Sequence, residues 1–139
     1  MARIMAIDYG KKRTGLAVTD VQQIIAGGLA TVPSQNLLPY ITEYVSREPV
    51  EKFVVGQPRQ MNDQPSEITP FIEAFVKHLE KILPSIPVEY YDERFTSVLA
   101  HRAMLDGGLK KKKRQEKALV DEISAVIILQ SYMEQNKYQ

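Results

Sequence analysis

The opening run of the chain, from Ile4 to Ala17, constrains the fold more than any other stretch. It reads IMAIDYGKKRTGLA, in which an apolar segment ends at Asp8 and a turn with Gly10 and three cations leads into a second apolar segment. Short apolar segments bounded by turn residues are typical of buried strands. The run therefore predicts a strand, a turn and a second strand, with a carboxylate beside a cationic turn that suits a metal ion or a phosphate.

Hydrophobic periodicity extends this pattern along the rest of the chain. It predicts strands at Arg3 to Asp8, Thr14 to Thr19, Ile24 to Val32, Lys52 to Gly56 and Val88 to Tyr91, and helices at Asn36 to Arg47, Ile68 to Leu83, Thr96 to Leu105 and Lys117 to Met133. We expect Ser34 or Asn36 to cap the first helix. Three hairpin strands followed by alternating strands and helices predict an α/β protein. Its mixed central sheet would have five strands, three antiparallel and then parallel, flanked by α-helices.

Apolar stripes on the predicted helices mark the faces that we expect to pack into the core. The second helix carries its stripe from Phe71 to Leu83, and the last helix carries one from Leu119 to Leu129. On the last strand, Tyr90 and Tyr91 point to opposite faces of the sheet. We therefore expect one tyrosine in the core and the other near a cleft.

Composition excludes several classes of protein. A length of 139 residues is typical of a single domain, and a 44% share of hydrophobic residues is enough to build a core. The absence of cysteine excludes disulfides, thiolate metal sites and cysteine nucleophiles. The N-terminus lacks the pattern of a signal peptide, and no apolar run is long enough to span a bilayer. We expect a soluble, cytoplasmic protein with no membrane partner.

Positive charge is concentrated in one segment of a nearly neutral chain. Residues 107–117 read GGLKKKKRQEK and hold six cations and one anion, which leaves the rest of the chain at −4 because the total is +1. Such a run is most often a solvated loop. It can also attract a polyanion to one part of the surface.

Three groups of acids stand at positions that the predicted sheet would bring to one edge. Asp8 ends the first strand, Asp92 and Glu93 follow the last strand, and Asp121 lies in the first turn of the final helix. In sheets of this class, sites lie at the carboxyl ends of strands. Carboxylates without cysteine or a histidine pair suit Mg²⁺ or Mn²⁺, and two such ions together hydrolyse phosphodiesters. Taken singly, each acid is more often a solvated loop residue or a helix cap, so the hypothesis requires all three groups to meet.

Four segments also resemble, in order, the signatures of the YqgF (RuvX) family. DYGKKRTGLA resembles D-x-G-x-K-R-x-G-x-A, VVGQPRQM resembles V-V-G-x-P-x-x-M, YYDERFTSVLA resembles D-E-R-x-T/S-x-x-A, and VDEISAVIILQSYME resembles the terminal helix of the family. The resemblance covers nearly the full length and implies one RNase H-like domain over residues 1–139, akin to the RuvC resolvases. Met61-Asn62-Asp63 replaces an M-D-G-like turn, a departure that affects substrate contact rather than the acids.

The resemblance also implies roles for individual residues. Asp8, Glu93 and Asp121 would be catalytic and would bind Mg²⁺ or Mn²⁺, with two ions expected. Asp92 is a further candidate metal ligand, because either acid of the adjacent pair could face the metals. Arg94 would contact phosphate or orient Glu93. The residues expected to contact nucleic acid are Lys12, Arg13, Arg94, Lys110, Lys111, Lys112, Lys113 and Arg114.

The function predicted from the sequence is metal-dependent hydrolysis of phosphodiester bonds in structured nucleic acid. The resemblance implies trimming of the 5′ end of the 16S ribosomal RNA precursor. One alternative is resolution of Holliday junctions in branched DNA, which requires a dimer for two symmetric cuts. Others are a nucleic-acid-binding factor without robust catalysis, and half of a sugar kinase or actin-like ATPase, which the short chain argues against. We expect a monomer or a weak homodimer, because the sequence shows no dedicated dimer interface.

Overall fold

The structure is a computed structural model that describes residues 1–58, 66–95 and 114–137. These residues form a mixed sheet in the order β3-β2-β1-β4-β5, in which β2 pairs antiparallel with β1 and β3, and β4 pairs parallel with β1 and β5. The strands are β1 Arg3–Asp8, β2 Arg13–Thr19, β3 Ala26–Pro33, β4 Val50–Gln57 and β5 Val88–Asp92. The helices are α1 Leu37–Arg47, α2 Thr69–Ile82 and α3 Arg114–Lys137, with short 3₁₀ turns at Ser34–Asn36 and Glu93–Phe95.

The predicted α/β class and the mixed five-stranded sheet are confirmed. Strand boundaries agree with the sequence predictions to within two residues. The predicted helix from Thr96 to Leu105 lies outside the described residues. In the part of the chain that the structure does describe, no helix has both the length and the apolar character needed to cross a bilayer.

The two faces of the sheet carry different kinds of side chain. Helices α1 and α2 cover one face, and the core there is built from large residues, including Met5, Ile7, Leu16, Phe53 and Val55. Because side chains alternate along a strand, the residues between these belong to the opposite face, which α3 covers. The buried residues of this second core include the small Ala6, Ala17 and Ala125 beside larger residues such as Ile128 and Tyr132.

Helix α3 is held at its C-terminal half by a polar network. The Lys52 ammonium donates to the Tyr132 hydroxyl at 2.7 Å, and that hydroxyl donates to the Glu89 carboxylate at 2.7 Å. The hydrogen bond from Tyr132 is the first cause of the lowered pKa of Glu89, and the bond to Tyr132 is the first cause of the raised pKa of Lys52. The network joins α3 to β4 and β5 and fixes where the helix lies along the sheet.

Two helix predictions are corrected by the structure. The stripe on α2 is narrower than predicted, because Phe71 and Ile82 are each 48% exposed while the positions between them supply the buried side. The apolar positions of the predicted stripe span a wider arc of the helix than one sheet face can cover. Helix α3 begins at Arg114, so this residue is not part of the predicted basic loop and Asp121 lies beyond the first turn.

The loop between β2 and β3 explains why β3 begins at Ala26 rather than Ile24. The Asp20 carboxylate accepts the backbone N–H groups of Gln22, Ile24 and Ile25 at 3.1, 2.8 and 2.8 Å. These bonds take the backbone donors that an earlier strand start would use in the ladder. Ile24 and Ile25 therefore belong to a loop that the side chain of Asp20 organises.

Replacing Asp20 with Asn should make folding stability less dependent on acid pH. The pKa of Asp20 lies below its ordinary value, first because its carboxylate accepts the backbone N–H of Ile25. A folded-state pKa below the unfolded one stabilises the fold above the unfolded pKa, and this stability is lost as the pH falls through the lowered value. In urea unfolding between about pH 7 and about pH 2, the wild type should lose more stability than Asp20→Asn. Equal losses would contradict this assignment.

Candidate active site

Asp8 lies at the end of β1, on the sheet face that α3 covers. It is 7% exposed, and its Cα lies opposite that of Gly15 in β2. Burying an ionised carboxylate is costly unless charge or hydrogen bonds compensate it, and Asp8 does have such interactions within the fold. A buried acid at the end of a central strand is therefore a feature that the surrounding structure must support.

Gly15 brings the backbone of α3 into contact with the strand that pairs with Asp8. A Cβ atom on Gly15 would overlap the carbonyl oxygen of Asp121 and would lie 3.0 Å from the amide nitrogen of Glu122. Only a residue without a side chain permits this approach. The contact fixes Asp121 next to the end of β1.

Asp121 continues the buried side of α3 toward the edge of the sheet. The residues three, four and seven positions later, Ser124, Ala125 and Ile128, are fully buried, and this spacing follows one side of a helix. The Asp121 side chain is 23% exposed, and its Oδ2 atom lies 2.5 Å from Nε of Arg13 at the start of β2. Strand β2 therefore contacts Asp121 through the backbone at Gly15 and through the side chain of Arg13.

Glu93 reaches the same face from the other side of the sheet. Glu93 directly follows β5 and is only 1% exposed. A Cβ atom on Gly56 would lie 2.9 Å from Oε2 of Glu93 and 2.6 Å from Cδ1 of Ile128. Gly56 follows Val55, which pairs with Ile7 of β1. The Glu93 carboxylate thus lies over β4, beside the end of β1 and against α3.

The structure therefore brings Asp8, Glu93 and Asp121 to the same face of the sheet, near the carboxyl ends of β1 and β5. Gly15 makes the close contact with Asp121, and Gly56 makes the close contact with Glu93. Within residues 1–58, 66–95 and 114–137, no three Asp, Glu, His or Cys side chains are gathered in an arrangement that could hold a metal ion as they stand. The Arg13 guanidinium occupies one oxygen of Asp121 in this arrangement. The catalytic and metal-binding roles of the three acids stay predictions.

Asp92 is engaged differently from Glu93. Its Oδ1 accepts the backbone N–H of Arg94 at 2.9 Å, and its Oδ2 pairs with Nη2 of the same arginine at 2.7 Å. The preceding Tyr91 packs edge-on against Tyr132 of α3, so the alternation of the strand directs Asp92 toward the other face. Asp92 and Arg94 form a local turn and ion pair, while Glu93 faces α3.

The turn between β1 and β2 is held by the hydroxyl groups of Ser34 and Thr14 and by one backbone hydrogen bond. The Ser34 hydroxyl donates to the carbonyl of Gly10 and lies 2.8 Å from the hydroxyl of buried Thr14, and the Ser34 N–H donates to the Lys12 carbonyl at 2.9 Å. Of the two predicted caps, Asn36 occupies the N-cap position of α1 but makes no side-chain capping hydrogen bond, and Ser34 does not occupy that position. Ser34 instead fixes the cationic turn.

Aromatic contacts join the same turn to α2. The ring of Tyr9 stacks on Phe75 with centroids 5.1 Å apart, and the Lys11 ammonium lies 4.6 Å from the centroid of Phe71. The Lys12 side chain is exposed. Of the other predicted phosphate contacts, Arg13 and Arg94 bind acids, Arg114 begins α3, and Lys110, Lys111, Lys112 and Lys113 lie outside the described residues.

Comparison with known proteins identifies the family. The profile of the RuvX family, which is described as Holliday junction resolvase, matches residues 2–135. The chain belongs to the RuvX family. It is 68% identical to a protein of Parabacteroides distasonis over 100% of this chain and 99% of that protein, and 69% identical to one of Phocaeicola vulgatus over 99% of each. Both relatives bear the provisional name pre-16S rRNA nuclease.

Solved structures show the fold of this RuvX protein. Thermus thermophilus RuvC, in a complex with a Holliday junction substrate, matches with a TM-score of 0.56 and 18% identity over 97% of this chain and 96% of that one. RuvC has the RNase H-like fold, so the predicted fold is confirmed.

Sequence reasoning about this RuvX protein missed the residues that position the acids. Gly15 and Gly56 were noted as parts of signatures, but their contacts with Asp121 and Glu93 were not anticipated. The available signal was a glycine inside a strand, which indicates close backbone approach. In β3, Gly28 likewise meets the Glu122 side chain, whereas Gly27 meets nothing within 4 Å.

Replacing Gly15 with Ala should lower the free energy of unfolding by about 1–3 kcal/mol, the usual cost of forcing an extra methyl into a packed site. The new Cβ would overlap backbone atoms of Asp121, which cannot rotate away as a side chain can. Gly27→Ala is the matched control, because it lies on the adjacent strand with open space at the Cβ position. We expect that control to stay within about 0.5 kcal/mol of wild type in urea unfolding. Similar losses in both variants would contradict the close contact.

Proposed function

We propose that this RuvX protein is a metal-dependent nuclease that hydrolyses phosphodiester bonds in structured nucleic acid, with Asp8, Glu93 and Asp121 as its catalytic residues. The observation that carries the proposal is the pair of glycine contacts that bring these acids to one face at one edge of the sheet. Acids from two strands and a packed helix form a costly arrangement of like charges. Such an arrangement is expected where the charges are used together.

The donor set fits a hard divalent cation. The candidate ligands are all carboxylate oxygens, which suit Mg²⁺ or Mn²⁺ and not the thiolate-binding metals, and we expect two ions. Asp8, Glu93 and Asp121 would hold them, and Asp92, which pairs with Arg94, is a further candidate ligand. Bound ions would supply Lewis acidity at the phosphate and neutralise charge that develops during hydrolysis.

We favour the 5′ end of the 16S ribosomal RNA precursor as the substrate. The name pre-16S rRNA nuclease belongs to relatives that are 68% and 69% identical to this chain over its whole length or nearly so. This substrate would place the protein in the cytoplasm, where ribosomes are assembled. The family description favours a second candidate, the Holliday junction. Two symmetric cuts would then require a dimer, whereas RNA trimming is compatible with a monomer or weak homodimer.

Cations around the acids would bind the nucleic-acid backbone. Lys12 is exposed on a turn that Ser34 and the contact between Tyr9 and Phe75 hold in place, so its charge is presented at the acid edge of the sheet. The other proposed phosphate contacts are Arg13, Arg94, Lys110, Lys111, Lys112, Lys113 and Arg114. Contacts of this kind make affinity depend on salt without reading sequence.

Asp8→Asn, Glu93→Gln and Asp121→Asn should each reduce cleavage roughly 100-fold or more, because each removes a metal ligand worth several kcal/mol to the transition state. The measurement is initial rates with Mg²⁺ or Mn²⁺ on two substrates in parallel, a precursor 16S ribosomal RNA fragment and a four-way DNA junction. Glu51→Gln is the control, because Glu51 is an exposed acid near the opposite end of β4. It should cleave at the wild-type rate.

The same experiment separates the candidate functions. Faster cleavage of the RNA supports the ribosomal substrate, and paired symmetric incision of the junction supports resolution. Binding of either substrate without cleavage would favour a nucleic-acid-binding factor. If Asp8→Asn cleaves as fast as wild type, the metal-dependent mechanism is wrong.

A further inference from the structure

The contact between Arg13 and Asp121 joins a cation of the β1–β2 turn to one of the proposed metal ligands. Arg13 Nε lies 2.5 Å from Asp121 Oδ2. Two residues further along β2, Gly15 contacts the backbone of Asp121, so the same strand contacts both the side chain and the backbone of this residue. The pair therefore depends on the packing of α3 against β2 and does not arise from chance proximity of two surface side chains.

A guanidinium at this position occupies an oxygen that a metal ion would use. Arginine keeps its charge at every physiological pH, and it donates to carboxylates through a planar fork. Asp121 has two carboxylate oxygens, and one of them is bound by Arg13. Within the described parts of the chain, no three acids are gathered as a metal site.

We propose that Arg13 is a counter-cation of Asp121, and that it competes with divalent ions for this carboxylate. The inference rests on the metal site of the proposed function. If Asp121 were to hold a metal ion, the Arg13 guanidinium would be released beside the acids. It would then be available to a substrate phosphate, whose oxygens can accept two parallel hydrogen bonds from a guanidinium as those of a carboxylate do.

Solvent exposure makes this exchange feasible. The Arg13 side chain is 37% exposed and that of Asp121 is 23% exposed, so water screens the pair and stabilises the guanidinium once it is released. A fully buried pair would impose a large desolvation cost on either partner after separation. The exposed side of the pair is also the side from which an ion or a phosphate would arrive.

The test is calorimetric titration of Mn²⁺ into the full chain without nucleic acid. Arg13→Gln should bind Mn²⁺ more tightly, on the order of tenfold, because it removes a competing charge beside the ligand. Arg13→Lys keeps the charge but loses the planar guanidinium. Its Mn²⁺ affinity should therefore lie between those of the wild type and Arg13→Gln. Arg3→Gln is the matched control: Arg3 forms a comparable ion pair with Glu48 at the opposite end of β1, and its loss should leave Mn²⁺ affinity unchanged.

A second pair of variants separates direct competition from a general effect of charge. In an Asp121→Asn background, replacing Arg13 with Gln should no longer tighten Mn²⁺ binding, since the contested carboxylate is absent. An equal gain in both backgrounds would overturn the proposal, and so would Arg13→Gln binding Mn²⁺ no more tightly than wild type. Cooperative thermal unfolding in chelator, measured for every variant, shows that each one is folded.

The two proposals fail in different ways. If Asp8→Asn binds Mn²⁺ as tightly as wild type, or if the wild type binds none, the proposed metal site is wrong and the role of Arg13 falls with it. If Mn²⁺ binding depends on Asp8 but Arg13→Gln leaves the affinity unchanged, only the competition by Arg13 is overturned.

Discussion

The close packing of α3 on β2 at Gly15 is the constraint on which the candidate site depends. A helix normally stands off a sheet by the depth of its side chains, but here Gly15 lets the helix backbone at Asp121 touch the strand. Small residues such as Ala6, Ala17 and Ala125 continue this close contact along the same face. The acid on the helix is thereby brought to the acid at the end of β1 without a long side chain.

One face of the sheet mainly stabilises the fold, and the other face positions the acids. The face under α1 and α2 is built from large apolar residues such as Met5 and Phe53, whose burial contributes about 1.5–3 kcal/mol each. The face under α3 contains several alanines that let the helix approach closely, and Asp8 and Glu93 lie at its end. The polar network of Tyr132 then fixes α3 at its other half. Acids can be tolerated close together at the strand ends because the apolar core under α1 and α2 and the Tyr132 network stabilise the rest of the fold.

Sequence patterns predicted the strands and the positions of Asp8 and Glu93 at strand ends, because short apolar runs and strand ends are local features. They did not predict distances between elements. The start of α3 was missed because a basic run is compatible with both loop and helix, and the exposure of Phe71 depends on how much of α2 the sheet covers. Ser34 was assigned to a cap because the sequence cannot show that the β1–β2 turn lies close enough to use it. The role of Gly15 was hidden for the same reason, since its partner lies more than a hundred residues away.

The chemistry proposed for Asp8, Glu93 and Asp121 would not distinguish RNA from DNA, because both nucleic acids present the same phosphodiester to the same oxygens. This explains how one family can carry a description as Holliday junction resolvase while close relatives of this chain bear the name of a ribosomal RNA nuclease. Discrimination must therefore come from surfaces beside the acids. The β1–β2 turn is one such surface: it presents Lys12 to solvent and holds Arg13 against Asp121. With the roles proposed for Lys12 and Arg13, this turn would link substrate binding to the state of the acids, whichever nucleic acid is cut.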